Sequence, residues 1–157
     1  MPAHTVLIID DEEPIRDAVR FILDEANYAV LEAPDGREGL DVLRASDEPL
    51  VVLLDLMMPG MSGIELLRSL SAEPAVAARH AYIIFSAARA FTAPTLQFFM
   101  PGKRLFDLPK PFNLDELIAI VELAVQQLES EREAGDGQVT VDTPAQATDT
   151  DGTSSGA

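Results

Sequence analysis

Five side chains that can do chemistry follow short apolar runs in this sequence: Asp10, Asp11, Asp55, Ser86 and Lys110. Three carboxylates in one place repel each other unless a hard divalent cation such as Mg²⁺, which prefers oxygen ligands, neutralises them. A neutralised cluster admits an anion, and a lysine and a hydroxyl are suitable donors to phosphate oxygens. Together with a carboxylate nucleophile, these groups are the parts of a phosphoryl-transfer site that forms an aspartyl phosphate.

The elements that must position these groups are β-strands with buried faces. Each group comes at the end of an apolar segment, and parallel strands bring such ends to one edge of a sheet. Helical periodicity and capping residues separate the strands. The predicted strands span residues 5–10, 28–33, 50–55, 81–86 and 105–109, and the predicted helices lie near residues 14–26, 37–45, 63–71 and 113–129.

This alternation predicts an α/β fold, a doubly wound five-stranded parallel sheet with helices on both faces. In the flavodoxin-like strand order 2-1-3-4-5, the ligand crevice lies at the ends of the first and third strands. Those ends carry Asp10, Asp11 and Asp55. Residues 1–129 are therefore expected to form one domain. Residues 130–157 are acidic and rich in Thr, Ser and Gly, which predicts a disordered tail.

The composition narrows the class of protein. The 157 residues include 27 acidic and 11 basic ones, a net charge of −16 that argues against a nucleic-acid partner and favours a divalent cation or a basic protein surface. The absence of cysteine excludes disulfides and thiolate zinc sites. With no leader-like start and no apolar run long enough for a bilayer, a cytoplasmic protein without membrane insertion is expected.

Taken together, the motifs resemble those of bacterial two-component response-regulator receiver domains. The resemblance covers about residues 5–129, in the family's order and close to its spacing, on separate elements that must all agree. It rests on Asp10, Asp11, Asp55, Met57, Pro59, Gly63, Ser86, Ala87, Lys110, Pro111 and Phe112.

The resemblance implies roles for these residues. Asp55 would be the phosphoacceptor, and Mg²⁺ would be held by Asp10, Asp11, Asp55 and the backbone carbonyl of Met57. The phosphoryl donor would be a histidine kinase or a histidine phosphotransfer protein. The chain would then be no enzyme beyond its own phosphorylation and autodephosphorylation at Asp55.

The remaining motif residues would complete the phosphoryl site. By the same resemblance, Ser86 and Lys110 would bind the phosphoryl oxygens, and the Lys110–Pro111 peptide bond would be cis. Output would come from protein–protein interaction with a downstream protein, from a homodimer formed on phosphorylation, or from phosphoryl relay. No DNA-binding or catalytic output domain is expected in the chain.

One region departs from the family pattern. Receiver domains usually have Tyr or Phe three residues before the lysine, where this chain has Asp107. Pro94 and Pro101 also confine any helix in this region to under two turns, in which Leu96, Phe99 and Met100 are expected to share a buried face while Phe98 points elsewhere.

Other interpretations stay open at this point. Each polar residue taken singly has a simpler role, such as capping a helix or charging a surface, and His4 and His80 are expected to be surface residues. The Asp107 departure favours a pseudo-receiver, a binding module that signals without phosphate. A haloacid-dehalogenase-type phosphatase would need a second Asp two residues after the nucleophile at the end of the first strand. Here the residue two positions after Asp10 is Glu12, which argues against this interpretation.

Overall fold

The computed structural model describes residues 4–87 and 92–137 and confirms the predicted fold. Five strands form one sheet in the order β2-β1-β3-β4-β5, and every neighbouring pair is parallel. The strands are β1 (Thr5–Ile9), β2 (Ala29–Ala33), β3 (Leu50–Leu54), β4 (Ala81–Ser86) and β5 (Leu105–Pro109). Because all five point the same way, their carboxyl ends meet at one edge of the sheet, called here the site edge.

Each face of the sheet is covered by helices, as a doubly wound sheet requires. Alternate residues of β1, β3 and β4 enter two separate apolar cores. Leu7, Val52 and Ile84 pack in one core, while Ile8, Leu53 and Phe85 pack in the other. The helices are α1 (Glu13–Glu25), α2 (Gly36–Ala45), α3 (Gly63–Ser71), α4 (Pro74–Arg79), α5 (Ala93–Leu96) and α6 (Leu114–Gly137).

Local capping chemistry explains where several helices begin. Asp35 caps α2 by accepting from the Glu38 amide at 2.8 Å. Asn113 does the same for α6 through the Glu116 amide at 2.8 Å, and the Glu116 carboxylate accepts from the Asn113 amide in return. Asp10 and Asp11 are not the N-cap of α1, a position that Glu12 occupies without a side-chain capping bond.

The last helix is longer than predicted. It continues to Gly137, so residues 130–137, expected to begin the disordered tail, are helical. Glu131 accounts for part of the extension, because its carboxylate lies 2.7 Å from the buried Lys103 ammonium outside the helix and accepts a hydrogen bond from Gln127 one helical turn earlier. The rest of the predicted tail, residues 138–157, lies outside the described residues.

The connection between β4 and β5 contains two short helical pieces. Helix α5 is a single turn, and a 3-10 turn (Gln97–Phe99) follows it. Leu96 and Met100 are buried and Phe99 packs against the same core, as predicted, whereas Phe98 is 84% exposed. Residues 88–91, which include part of this connection, are not described.

His80 is buried, which corrects the expectation that it lies on the surface. Its Nδ1 accepts from the Leu50 amide at 3.0 Å, and its Nε2 lies 3.1 Å from the Leu43 carbonyl oxygen. The ring therefore joins the end of α2 to the start of β3. Burial lowers the pKa of His80 to about 4, so the imidazole is neutral near pH 7.

Candidate phosphoryl-transfer site

Asp55 lies directly beyond β3 at the site edge. Its amide donates to the Ile9 carbonyl at 2.9 Å, which continues the pairing of β1 with β3 by one residue and fixes the backbone. Its Oδ1 accepts from the Met57 amide at 3.2 Å. The residue is 5% exposed, so the carboxylate is held rigidly with little contact to water.

Gly63 allows the chain to pass close behind Asp55. A Cβ atom at this position would lie 2.8 Å from the Leu56 Cα and nearer still to the Asp55 carbonyl oxygen. Only a residue without a side chain fits there. Ser62 immediately before it caps α3 in a reciprocal pair with Glu65, so the turn after Asp55 leads straight into a well-formed helix.

Asp10 and Lys110 form a buried ion pair beside Asp55. The Lys110 Nζ lies 2.7 Å from Asp10 Oδ2 and 3.7 Å from Asp55 Oδ2. Asp10 is fully buried, and its other oxygen accepts from the Glu12 amide at 2.9 Å. One ammonium group thus faces two carboxylates at the edge of the sheet where the strand ends were predicted to bring these residues together.

Lys110 is held from three sides. Its amide donates to the Ser86 carbonyl at 3.1 Å, and its ammonium lies 4.4 Å from the centre of the Phe85 ring. The Lys110–Pro111 peptide bond is cis, as expected, and Phe112 packs on Phe85 with ring centres 5.1 Å apart. These contacts direct the ammonium toward the carboxylates and away from solvent.

The pKa of Asp55 is raised to about 6. Burial is the largest cause, because it disfavours the charged form. Lys110 and the Met57 amide pull the pKa down, but Asp10 and Asp11 push it up again. The positive charge near Asp55 therefore does not fully offset the cost of ionising its carboxyl group. An added cation would stabilise the ionised form.

Three carboxylates lie close enough to share one ion. Oxygen atoms of Asp10, Asp11 and Asp55 all lie within 4.8 Å of one another. Asp11 is exposed, whereas the other two are buried, so the cluster opens to solvent on one side. An all-oxygen donor set with an open side fits a hydrated Mg²⁺ ion, which keeps several waters and takes few carboxylates.

Ser86 and Met57 also lie where the sequence predicted them. Ser86 is the last residue of β4, is 7% exposed and pairs with Pro109 on β5. Met57 follows Asp55 by two residues, and its side chain is 63% exposed. Phosphoryl binding by Ser86 and metal ligation by the Met57 carbonyl stay predictions.

Sequence reasoning missed the polar contacts of two residues, Asp107 near this site and Lys103 away from it. Asp107, known only as a departure from the family pattern, accepts from the Ala93 amide at 2.7 Å. Lys103 is buried and donates to the Ala78 carbonyl at 2.9 Å as well as to Glu131. An isolated charge within an apolar stretch signals a buried partner, but it does not say which residue provides it.

In the described part of the chain, no helix is both long and apolar enough to cross a membrane.

Comparison with known families gives a match over most of the chain. Residues 6–122 match the response regulator receiver domain. Response regulator MprA from Mycolicibacterium vanbaalenii is 34% identical over 136 residues, which cover 87% of this chain and 56% of that relative. Transcriptional regulatory protein CseB from Streptomyces coelicolor is 32% identical over 122 residues, 78% of this chain and 49% of the relative. The chain spans about half the length of these curated relatives.

Solved structures share the fold. A CheY-like response regulator receiver domain protein from Methanospirillum hungatei is 29% identical with a TM-score of 0.65, over 83% of this chain and 98% of that one. Response regulator protein TrrA from Thermotoga maritima, solved in complex with Mg²⁺–BeF, is 24% identical with a TM-score of 0.62, over 77% of this chain and 98% of that one.

Proposed function

Because this chain belongs to the response regulator receiver family, we propose that it is a phosphorylation-controlled signalling protein whose phosphoacceptor is Asp55. The observation that carries the proposal is the position of the Asp55 carboxylate. It is nearly buried, 3.7 Å from the Lys110 ammonium, and within 4.8 Å of the Asp10 and Asp11 oxygens. Asp10 is also buried and lies nearer to Lys110, but both of its oxygens already accept hydrogen bonds, one from the Lys110 ammonium at 2.7 Å and one from the Glu12 amide at 2.9 Å.

The proposed step is an in-line transfer. An Asp55 carboxylate oxygen forms a bond to the phosphorus of the donor, while the bond from phosphorus to the donor's nitrogen or oxygen breaks. The leaving atom keeps the electron pair, and Asp55 becomes an acyl phosphate. The donor class is a histidine kinase, a histidine phosphotransfer protein, or a small acyl phosphate.

The chain's own residues would position and stabilise the group being transferred. Lys110 lies close enough to Asp55 to turn from Asp10 toward a phosphoryl oxygen, and Ser86 would donate its hydroxyl to another. Glu12 and Met57 amides keep the two carboxylates oriented throughout. When bound, Mg²⁺ supplies positive charge that offsets the carboxylates and the incoming phosphoryl oxygens.

We propose Asp10, Asp11 and Asp55 as its side-chain ligands, with the Met57 carbonyl as a further ligand. The raised pKa of Asp55 supports this assignment, since burial and then the neighbouring Asp10 and Asp11 disfavour its ionised form, which a cation would stabilise. The Thermotoga relative, solved with Mg²⁺–BeF, supports the same class of ion. The chain's own chemistry would be limited to gaining and losing this phosphoryl group.

Output is proposed to pass through protein contacts. Phe98 is 84% exposed in the connection that follows the Ser86 strand, and such a large apolar side chain suits a downstream partner or a second copy. A relay would pass the phosphoryl group from Asp55 to a histidine, whereas a switch would change the affinity for a partner.

The test is intact mass after incubation with Mg²⁺ and acetyl phosphate, comparing the wild type with Asp55→Asn. Asp24→Asn, an exposed acid on α1, is the matched control. We expect one base-labile phosphoryl adduct on the wild type and the control, none on Asp55→Asn, and none for any of them in excess EDTA. An adduct that persists on Asp55→Asn would overturn the assignment.

A second candidate is a phosphate-independent binding module, favoured by the bond between Asp107 and Ala93 in place of a mobile aromatic ring. It predicts no adduct with several phosphodonors or a cognate kinase. It also predicts that Asp55→Asn leaves partner binding intact.

A further inference from the structure

A mainly apolar cavity of about 490 Å³ lies at the opposite end of the sheet from Asp55. It is bounded by the end of α3, by α4 and by the loop that leads into the amino end of β5. Its apolar lining residues are Leu70, Pro74, Ala77, Phe99, Met100 and Pro101. A cavity of this volume and lining is suited to a small organic molecule.

Two charged residues, Lys103 and Glu131, also line this cavity. The Lys103 Nζ lies 2.7 Å from Glu131 Oε2, and Lys103 is only 6% exposed. Lysine is rarely buried, because removing its charge from water is costly unless polar groups compensate for it. Apolar packing of the loop therefore does not explain why an ammonium group lies here.

The Lys103 ammonium has fewer acceptors than it can use. It carries three N–H donors, and among the described residues it has two acceptors, the Ala78 carbonyl at 2.9 Å and the Glu131 carboxylate. One N–H is thus left for another acceptor. A negatively charged acceptor would make the strongest bond to it.

A donor is missing on the other side of the same ion pair. Gln127 Nε2 donates to Glu131 Oε1 at 3.0 Å, whereas the Gln127 side-chain oxygen is buried and has no partner among the described residues. Buried polar atoms are nearly always paired, so this oxygen indicates a further donor beside Glu131. The Glu131 carboxylate can itself accept more bonds, because its two oxygens offer about four acceptor positions.

The loop that carries Lys103 is held in one conformation. The Lys103 amide donates to the Met100 carbonyl at 3.1 Å, and Gly102 has a φ of +80°. Proline at the second position and glycine at the third are typical of a type II turn. The Gln97 side chain donates to the carbonyls of Met100 and Lys103 and accepts from the Leu105 amide. Lys103 is therefore in place before a ligand arrives, which lowers the ordering cost of binding.

We propose that this cavity binds a free amino acid with an aromatic or branched apolar side chain. The ligand's carboxylate would accept from the third N–H of Lys103, and its ammonium would donate to Glu131. Its apolar side chain would lie against Phe99 and Met100. This head group is neutral overall and leaves the ion pair intact, whereas a simple carboxylate would bring a second negative charge beside Glu131. Binding at this end of the sheet does not require phosphorylation of Asp55.

The experiment is an amide NMR titration of the full, unphosphorylated chain with L-phenylalanine. We expect saturable shifts within residues 77–78 and 100–103, with a Kd of about 1 mM for a ligand of this size, and none around Asp55. 3-Phenylpropionate lacks the ammonium and 2-phenylethylamine lacks the carboxylate, so each should bind about tenfold more weakly. No saturable shift at about 10 mM L-phenylalanine would overturn the site. Equal affinity for L-phenylalanine and 3-phenylpropionate would overturn the head-group assignment.

Two substitutions separate the roles of the charged residues. Lys103→Met should weaken L-phenylalanine binding about tenfold or more and leave 2-phenylethylamine binding unchanged, because only the carboxylate contact is lost. Glu131→Gln should weaken L-phenylalanine binding but not 3-phenylpropionate binding. Glu133→Gln, at an exposed acid of the same helix that does not line the cavity, is the control and should bind like the wild type.

Two further outcomes would count against an amino-acid site. L-Phenylalanine binding that neither Lys103→Met nor Glu131→Gln weakens would overturn the roles of both charged residues. Shifts of the same amides that follow protein concentration in the absence of any amino acid would show a second copy of the chain over the cavity, and would overturn the proposed ligand.

Discussion

The acidic end of the sheet and the connection between β4 and β5 are neighbours, yet they are built in different ways. In the first, fixed strand ends bring Asp10, Asp55 and Lys110 together, and buried ion pairs hold them. In the second, residues 87–104 contain no acidic residue, and short helical pieces are held by apolar packing and a few hydrogen bonds. The proposed chemistry therefore depends on the rigid ends of the sheet, whereas the connection is held more weakly.

Substituting a lysine in each region tests this contrast. The largest effect on stability and on phosphorylation is expected for Lys110→Met. It would leave the fully buried Asp10 carboxylate without its cation, which typically costs about 3 kcal/mol of unfolding free energy. The phosphorylation rate should also fall by about 100-fold or more, since a charge that stabilises the transferred group is lost. Urea unfolding and the rate of adduct formation measure both.

Lys103→Met is the matched control at the other end of the sheet. Lys103 also contacts a carboxylate at 2.7 Å, but the Glu131 side chain is 40% exposed and can be solvated instead. The methionine would face a mainly apolar cavity of about 490 Å³ beside Phe99 and Met100. We expect a change of about 1 kcal/mol or less and an unchanged phosphorylation rate. Equal effects of the two substitutions would contradict the contrast.

Replacing a glycine in each region by alanine is expected to have the next largest effect on stability. Gly63→Ala places a methyl group against the Asp55 and Leu56 backbone, and we expect a loss of about 2–3 kcal/mol with slower phosphorylation. Gly102→Ala meets no atom within 4 Å, but φ is +80° there, which should cost about 1 kcal/mol and leave phosphorylation unchanged. Thermal unfolding and adduct kinetics on both variants separate crowding at the site from backbone strain in the connection.

A third test uses the pH dependence of stability. The pKa of Asp55 is raised from 3.8 to about 6 on folding, so the folded state binds more protons than the unfolded state between these values. The Asp55 contribution to stability therefore falls as pH rises from about 4 to 6, by about 2–3 kcal/mol. We expect the difference between wild type and Asp55→Asn to show this fall, and Mg²⁺ to remove it by favouring the ionised carboxylate. A difference that does not vary with pH would show that Asp55 titrates normally.

The smallest effect on stability is expected for Phe98→Asp. The side chain is 84% exposed, so unfolding free energy should change by about 0.5 kcal/mol or less. Phe21→Asp, on α1 and 68% exposed, is the control on the other side of the molecule. If the connection self-associates on phosphorylation, sedimentation velocity of the phosphorylated protein should shift for Phe98→Asp alone. A monomer in every case would count against self-association.

The sheet and most of the site could be predicted because strand periodicity and strand ends are local signals. Asp55 follows an apolar run, and parallel strands must bring such ends together, so its neighbours followed from topology. Helix α4 was missed because it has only six residues, although Pro74 and the following alanines favour a helix start. The burial of His80 was not predictable in the same way, because its partners Leu50 and Leu43 are far away in the sequence.

The hydrogen-bond partners of the isolated charged residues likewise could not be predicted from the sequence. Nothing near Lys103 in the chain indicates Glu131, and nothing near Asp107 indicates the backbone amide of Ala93. Such contacts depend on how an irregular connection packs, which periodicity does not describe. The family pattern marked Asp107 as unusual, and only the folded chain shows what it contacts.

The buried His80 has a consequence for acid tolerance. Its pKa is about 4 in the folded chain against 6.5 ordinarily, so the unfolded state binds its proton first and stability is lost as pH falls from about 6.5 to 4. Asp55 has the opposite dependence over nearly the same interval. In the metal-free protein the two proton-linked contributions should largely cancel. A cation that ionises Asp55 removes one of them, so the metal-loaded protein should be the more acid-sensitive of the two forms.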